Sequence, residues 1–374
     1  MTGIDSELKD LLEKPLNHLI ERAMNDGMIP VGYACSMVPE ALLSAGKLFP
    51  VRMRAPGTEG TEMADLYLSS VTCTYARSLL EFALDDRYSF LGGYVFTAGC
   101  DHLRRLHDNL DYLKKPGFSY ILDIPHKTGA AALEWTIEEL HRLASALEKQ
   151  FDTDMSRESI KKAVEENNAL NRALNSISTM RKLKNPPFTG TQYHRLVMAA
   201  RVSPAEYMMP LIEKFYKTAE ESTGIPEYRA RLMITGSGLD DPEYTNIIES
   251  QGALVVADRY CTGSFPGLEP VDSSGDPFEA LARRSLEVNR CPRMMEGFDS
   301  RAEYIARIAE EYSADGVIIE SIKFCDTWGV ESAALTDHLR AKGLAVLRVE
   351  REYRQSGEGQ LRTRIQAFIE SIGK

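Results

Sequence analysis

Nowhere in its 374 residues does the chain carry a C-x-x-C pair. That absence excludes a zinc ribbon and a ferredoxin-type cluster motif, which place thiolates three residues apart. The seven histidines form no H-x-x-x-H pair, so a zincin-type helix is excluded as well. No Walker motif occurs and no Ser/His/Asp order can be argued, so any ATP chemistry must reside on another protein. No apolar run approaches the ~18 residues of a membrane span, and the polar N-terminus lacks a signal-peptide pattern. Net charge is −11 without a concentrated basic stripe, which argues against an electrostatic surface for nucleic acid. The composition fits a soluble, cytoplasmic protein of anaerobic type, with neither membrane nor nucleic acid among its partners.

What the chain does have is six cysteines in two groups. Cys35, Cys73 and Cys100 lie in the first third; Cys261, Cys291 and Cys325 lie in the last, with none between. Free cysteines often serve packing alone, as small hydrophobes. Their local setting points further. Gly93-Tyr94-Val95-Phe96-Thr97 is an apolar run of strand type ending in Ala98-Gly99-Cys100-Asp101, after which Leu103, Leu106, Leu110 and Leu113 share one helical face. Gly316-Val317-Ile318-Ile319-Glu320 is a second buried-strand run, followed by Phe324-Cys325-Asp326 and a helix-like stretch from Val330 to Leu339. Each half thus sets a Cys-Asp pair just beyond the carboxyl end of a strand, where open α/β sheets bind ligands.

Cys35 follows the strand-like Val31-Gly32-Tyr33, and Cys261 lies just past Leu254-Val255-Val256-Ala257-Asp258. Cys73 opens an amphipathic helix from Thr74 to Leu84; Cys291 precedes Pro292, ahead of a helix from Arg301 to Tyr312. A thiolate near a helix start is favoured by the macrodipole and suited to metal ligation. Two groups of three, in halves of similar design, suggest one site of soft ligands, with an iron–sulfur cluster as the leading candidate.

The length allows two substantial domains. Helical and strand patterns alternate from about Pro30 to Ile124, which places a first α/β domain at residues 1–129. Residues 130–222 read almost wholly helical, including an amphipathic run from Ile160 to Leu183, and Pro186-Pro187-Phe188-Thr189-Gly190 breaks the series. A second α/β domain is placed at residues 223–374. The expected fold class is α/β: two Rossmann-like parallel-sheet domains with an intervening helical segment. Within the second unit, Gly236-Ser237-Gly238 lacks the third glycine of the dinucleotide fingerprint and reads as a tight strand-to-helix turn. His102 follows Cys100-Asp101 closely and could approach the site, although a solvated helix position is the favoured reading. His126 follows a strand and could face a pocket.

The stretch from Cys35 to Gly46, the Cys73 helix, Phe96-Thr97-Ala98-Gly99-Cys100-Asp101, Val255-Val256-Ala257-Asp258, Lys323-Phe324-Cys325-Asp326 and the run from Gln360 to Phe368 carry a family resemblance. Together they resemble the 2-hydroxyacyl-CoA dehydratase and benzoyl-CoA reductase superfamily, over nearly the whole chain. In its dehydratase subunits, cysteines matching Cys73, Cys100 and Cys325 hold one [4Fe–4S] cluster; here Cys35, Cys261 and Cys291 are additional. Six ligands look more like the double-cubane cluster proteins of that superfamily, where two cubanes joined by a sulfide form an [8Fe–9S] cluster. The resemblance implies that all six cysteines hold iron, and that the protein is a homodimer reducing small molecules. It also implies electrons from a separate ATP-hydrolysing iron–sulfur reductase. Two alternatives stay open: a subunit of an acyl-CoA dehydratase or benzoyl-CoA reductase with one [4Fe–4S] cluster and a non-identical partner, or a non-catalytic electron-transfer protein.

Overall fold

The computed structural model describes residues 1–264, 268–288, 291–353 and 357–372. Two helices, α1 (Thr2–Asp10) and α2 (His18–Asn25), lead into β1 (Ile29–Tyr33), β2 (Leu48–Arg52), α3 (Thr74–Leu84), β3 (Gly93–Thr97), α4 (Asp101–Lys114) and β4 (Ser119–Leu122). Four long helices follow: α5 (Ala130–Phe151), α6 (Arg157–Thr179), α7 (Gly190–Arg201) and α8 (Ala205–Glu220). The remainder runs β5 (Ala230–Gly236), α9 (Pro242–Glu249), β6 (Ala253–Tyr260), α10 (Pro277–Arg283), α11 (Phe298–Glu311), β7 (Gly316–Ile322), α12 (Asp326–Ala341), β8 (Ala345–Arg351) and α13 (Glu358–Ile372).

The strands form two parallel four-stranded sheets, ordered β2-β1-β3-β4 and β6-β5-β7-β8. The orders are the same topology repeated. In each, the chain first winds to one side of its leading strand and then to the other. The switch points therefore fall between β1 and β3 and between β5 and β7, where such sheets leave a ligand crevice. β5 and β6 are buried along their whole length, which is why residues 232–234 and 253–257 read as apolar runs rather than alternating ones. The edge strand β2 carries Pro50, which an edge tolerates and which hides the strand from pattern reading. The helices α1 and α2, short and set before the first strand, also go unread in the sequence.

The helices after β4 divide between two cores. Leu140, Leu143 and Leu147 of α5 pack with Val31, Val95 and Leu122 of the first sheet. α6 begins in that core, through Ile160 and Val164, and ends in another, where Leu174 and Ile177 meet α1, α7 and α8. The segment after β6 crosses the other way: Phe278, Leu281, Leu286 and Met294 enter the core of the first sheet. The halves are also locked through Asp240, whose backbone oxygen accepts from Arg54 Nη2 at 2.8 Å and whose carboxylate accepts from Tyr353 Oη at 2.7 Å. Tyr353 Oη in turn accepts from the N–H of Ala55 at 2.9 Å.

Helix ends follow local chemistry. The Asn17 side chain accepts from the N–H groups of Leu19 and Ile20, and Thr189 and Gln192 form a capping box at the start of α7. Within α7, the buried His194 fixes the helix to the β5–α9 turn. Its Nε2–H donates to Leu239 O at 3.1 Å and its Nδ1 accepts from Thr245 Oγ1 at 2.9 Å, a pairing that suits the neutral ring. Burial pushes its pKa down to about 4, with Asp258 and Asp241 opposing and Arg54 assisting. The folded value lies below the unfolded value of ~6.5, so the unfolded chain takes up the proton first as pH falls. Stability conferred by neutral His194 is complete above ~6.5 and is lost towards pH 4, by an amount on the order of 3 kcal/mol. Urea unfolding at stepped pH should show this loss in the wild type and a flatter profile over the same window in His194→Gln.

Candidate functional site

Four cysteines leave the carboxyl ends of strands, and three cap helices. Cys35 follows β1, Cys100 follows β3, Cys261 follows β6 directly and Cys325 follows β7. Cys73, Cys100 and Cys325 are the N-cap residues of α3, α4 and α12, although none of the three thiols closes a capping hydrogen bond. Cys291 lies in the segment that crosses from the second half onto the first sheet's core. The result is convergence. All six cysteines line a single cavity of about 180 Å³, many times the ~10–15 Å³ that one water needs.

Supporting contacts join the halves around this cavity. The guanidinium of Arg293, two residues after Cys291, donates to Gly99 O at 3.3 Å and Ile124 O at 2.7 Å, gripping the turn that presents Cys100. The N–H of Cys261 donates to Ser237 O at 3.3 Å, so the glycine turn after β5 positions a thiol and serves as a tight connection. The N–H of Met37 faces Cys35 Sγ at 3.5 Å. His102 corrects the sequence reading: it is not a solvated position but a brace. Its Nδ1 accepts from the N–H of Cys73 at 3.2 Å, and its Nε2 lies 3.6 Å from Asp326 Oδ2, beside Cys325. His126 is exposed and does not line the cavity.

Burial pushes the Cys73 thiol up to about 12, with Cys325 and Asp326 adding to the effect and the N–H groups of Ala76 and Tyr75 opposing it. Burial likewise raises Cys291 to about 11, aided by Cys35 and opposed by the N–H of Arg293 and the guanidinium groups of Arg259 and Arg293. Cys100, Cys261 and Cys325 are raised by the same desolvation. Thiols so placed release their protons to a metal and not to water. Among the described residues, five arginines, Arg52, Arg201, Arg259, Arg284 and Arg293, share the wall with one carboxylate, Glu40. Burial lowers the pKa of Arg259 while Cys261 and Cys291 pull it back up, which places its charge against those sulfurs. Such a wall suits an extended anionic group.

Among the described residues, no three His, Cys, Asp or Glu converge where one metal ion would sit. Six thiols on one cavity are the soft donors that an iron–sulfur group takes, so the donor set fits such a group. The arginines, Glu40 and the two asparagines of α6 on this wall went unread in the sequence, because isolated polar residues on separate elements carry no spacing signal.

Fold and cavity define the class: a two-sheet α/β protein whose halves jointly enclose a thiol-lined site. The chain belongs to the family described as "2-hydroxyglutaryl-CoA dehydratase, D-component", which it matches over residues 35–372. It is similar to the putative dehydratase subunit YjiM of Escherichia coli (25% identical; 92% of each chain covered). It is also similar to the (R)-phenyllactyl-CoA dehydratase beta subunit of Clostridium sporogenes (23% identical; 98% of each). A benzoyl-CoA reductase subunit from Thauera aromatica matches at 22% identity, over 82% of this chain and 81% of the relative. Among the described residues, no helix is long and apolar enough to cross a membrane.

The turn after β5, which accepts the N–H of Cys261 at Ser237, offers a test of this geometry. Gly236 has φ +147°, and a Cβ there would stand 1.9 Å from Glu320 O; at Gly238 a Cβ would meet nothing within 4 Å. Gly236→Ala should cost about 3 kcal/mol or more, against less than about 0.5 kcal/mol for Gly238→Ala, as read by denaturant unfolding.

Proposed function

We propose that the protein is the substrate-reducing iron–sulfur component of an ATP-dependent two-component reductase. All six cysteines would hold an [8Fe–9S] double cubane. The observation that carries this reading is the meeting of six thiols, three from each half, on one arginine-rich cavity. On top of burial, the thiols bear on one another across the halves as well as within them: Cys73, Cys35 and Cys325 all raise Cys100, and Cys291, Cys325 and Cys35 all raise Cys261. When bound, such a group supplies electrons at low potential, a consequence of thiolate ligation and burial.

The chain's own residues do the rest. Arg259 and Arg293 offset negative charge on the sulfurs, His102 and Ser237 hold the segments bearing Cys73 and Cys261, and burial keeps bulk water from the ligands. With no phosphate-binding motif in the sequence, ATP hydrolysis falls to a separate iron–sulfur reductase, and the working unit is a cytoplasmic homodimer acting on small molecules. The names of the relatives favour a second reading, an acyl-CoA dehydratase or reductase subunit; by the family resemblance, Cys73, Cys100 and Cys325 would then hold one [4Fe–4S] cluster.

Iron analysis separates the two. Anaerobically purified protein should carry about eight irons per chain; about four, with Cys35, Cys261 and Cys291 open to alkylation, would leave the dehydratase reading. Cys261→Ser exchanges a soft thiolate for a hard, poorly ionised hydroxyl. It should lower iron content or change the EPR signal of the reduced protein, whereas a packing cysteine would tolerate the change. The isolated chain should show no ATPase activity, and robust turnover by it alone would refute the division of labour.

A further inference from the structure

We infer that Glu40 carries the protons of the reaction: it takes one up as the iron–sulfur group is reduced and hands it to the small molecule in the cavity. This rests on the reading above and adds a catalytic residue to it. Reducing a small molecule to stable products consumes protons as well as electrons, and the wall offers few sources of them. Among the described lining residues there is no histidine, lysine or aspartate. Arginines keep their protons, and the six thiols are taken up as ligands. Burial pushes the phenols of Tyr75 and Tyr260 far above the ordinary range, so they stay protonated. Glu40 remains. Its side chain lines the cavity and is 18% exposed. Oε1 accepts from Tyr33 Oη at 2.5 Å and Oε2 from Arg201 Nη1, which occupies two of roughly four lone-pair sites on the carboxylate.

The surroundings tie proton uptake to the arrival of electrons. Around Glu40 stand Tyr33 of β1, Arg52 of β2, Arg201 of α7 and Arg284 after α10, and Glu269 acts on the same Arg284. Burial and Glu40 push the Tyr33 phenol well up against the pull of Arg52 and Arg201, so it stays a donor to the carboxylate. Paired with Arg201, Glu40 starts as a carboxylate. An electron added to a water-poor cavity brings negative charge, and negative charge close by favours the neutral form of a carboxyl group. Arg52 joins the two ends. Its guanidinium lies 5.3 Å from the centre of the Tyr33 ring, and its Nη1 donates to Ser36 Oγ at 2.9 Å, beside Cys35 in the chain. Ser36 Oγ in turn donates to Cys261 O. Charge arriving at Cys35 and Cys261 is therefore one arginine away from the Tyr33–Glu40 pair.

Hydroxylamine is a suitable probe. Breaking its N–O bond takes two electrons, here from a low-potential europium(II) chelate in place of the partner reductase, and two protons. One proton goes to oxygen and one to nitrogen, yielding water and ammonia; Glu40 gives each and is reprotonated from solvent between them. The test uses the iron-loaded full chain as wild type, Glu40→Gln and Glu40→Asp, with iron measured on every sample. Redox titration followed by EPR at stepped pH should show a wild-type midpoint that falls as pH rises. Glu40→Gln should flatten that slope and Glu40→Asp restore it. Ammonia formation above the protein-free rate should drop about a hundredfold in Glu40→Gln, as for a lost general acid, and recover in part in Glu40→Asp. Equal slopes in wild type and Glu40→Gln would overturn the proposal, and so would loss of iron from Glu40→Gln, which would assign Glu40 to the fold. A wild type that leaves hydroxylamine intact would count against the reductase reading, while the midpoint slopes would still decide whether Glu40 takes the proton. Wild-type iron near four would count against the double cubane alone, because the titration reads whichever cluster is bound.

Discussion

The structure turns on the cost of gathering six thiols in one largely desolvated place. A thiol taken out of water resists ionisation, and neighbouring thiolates add to that resistance, as the raised values of Cys73 and Cys291 record. Backbone N–H groups, opposite charge or a bound metal offset it. The fold meets this demand with structure from both halves: β-strand ends aim Cys35, Cys100, Cys261 and Cys325 inward, helix starts present Cys73, Cys100 and Cys325, and arginines close the wall. The crossing of residues after β6 onto the first sheet's core follows the same logic, because it brings Cys291 and Arg293 to the turn that holds Cys100.

Much of this was legible in the sequence. The parallel strands β3, β5, β6 and β7 are buried on both faces, so their apolar runs stand out, and the cysteines just beyond them betray the ligand crevice. The edge strand β2 was hidden by Pro50, and α1 and α2 by their brevity. His102 was misread because its role depends on two partners distant in sequence, the backbone of Cys73 and the carboxylate of Asp326, which no local pattern reports. The arginine wall was illegible for the same reason.

Family membership and cavity chemistry bear on different questions. Membership ties the chain to a fold shared by dehydratase and reductase subunits, and one scaffold can host several chemistries. The cavity is more particular. Cys35, Cys261 and Cys291 face it beside Cys73, Cys100 and Cys325, and Arg259 places its charge against two of the additional three. Cysteines retained for packing alone would need neither a shared cavity nor a guanidinium partner.

The central claim is that all six sulfurs bind one extended iron group. Anomalous diffraction at the iron edge, from crystals grown without oxygen, tests it directly. The account predicts two adjoining lobes of iron density, one bounded by the Sγ atoms of Cys73, Cys100 and Cys325 and the other by those of Cys35, Cys261 and Cys291. A single lobe touching only the first three sulfurs would contradict it.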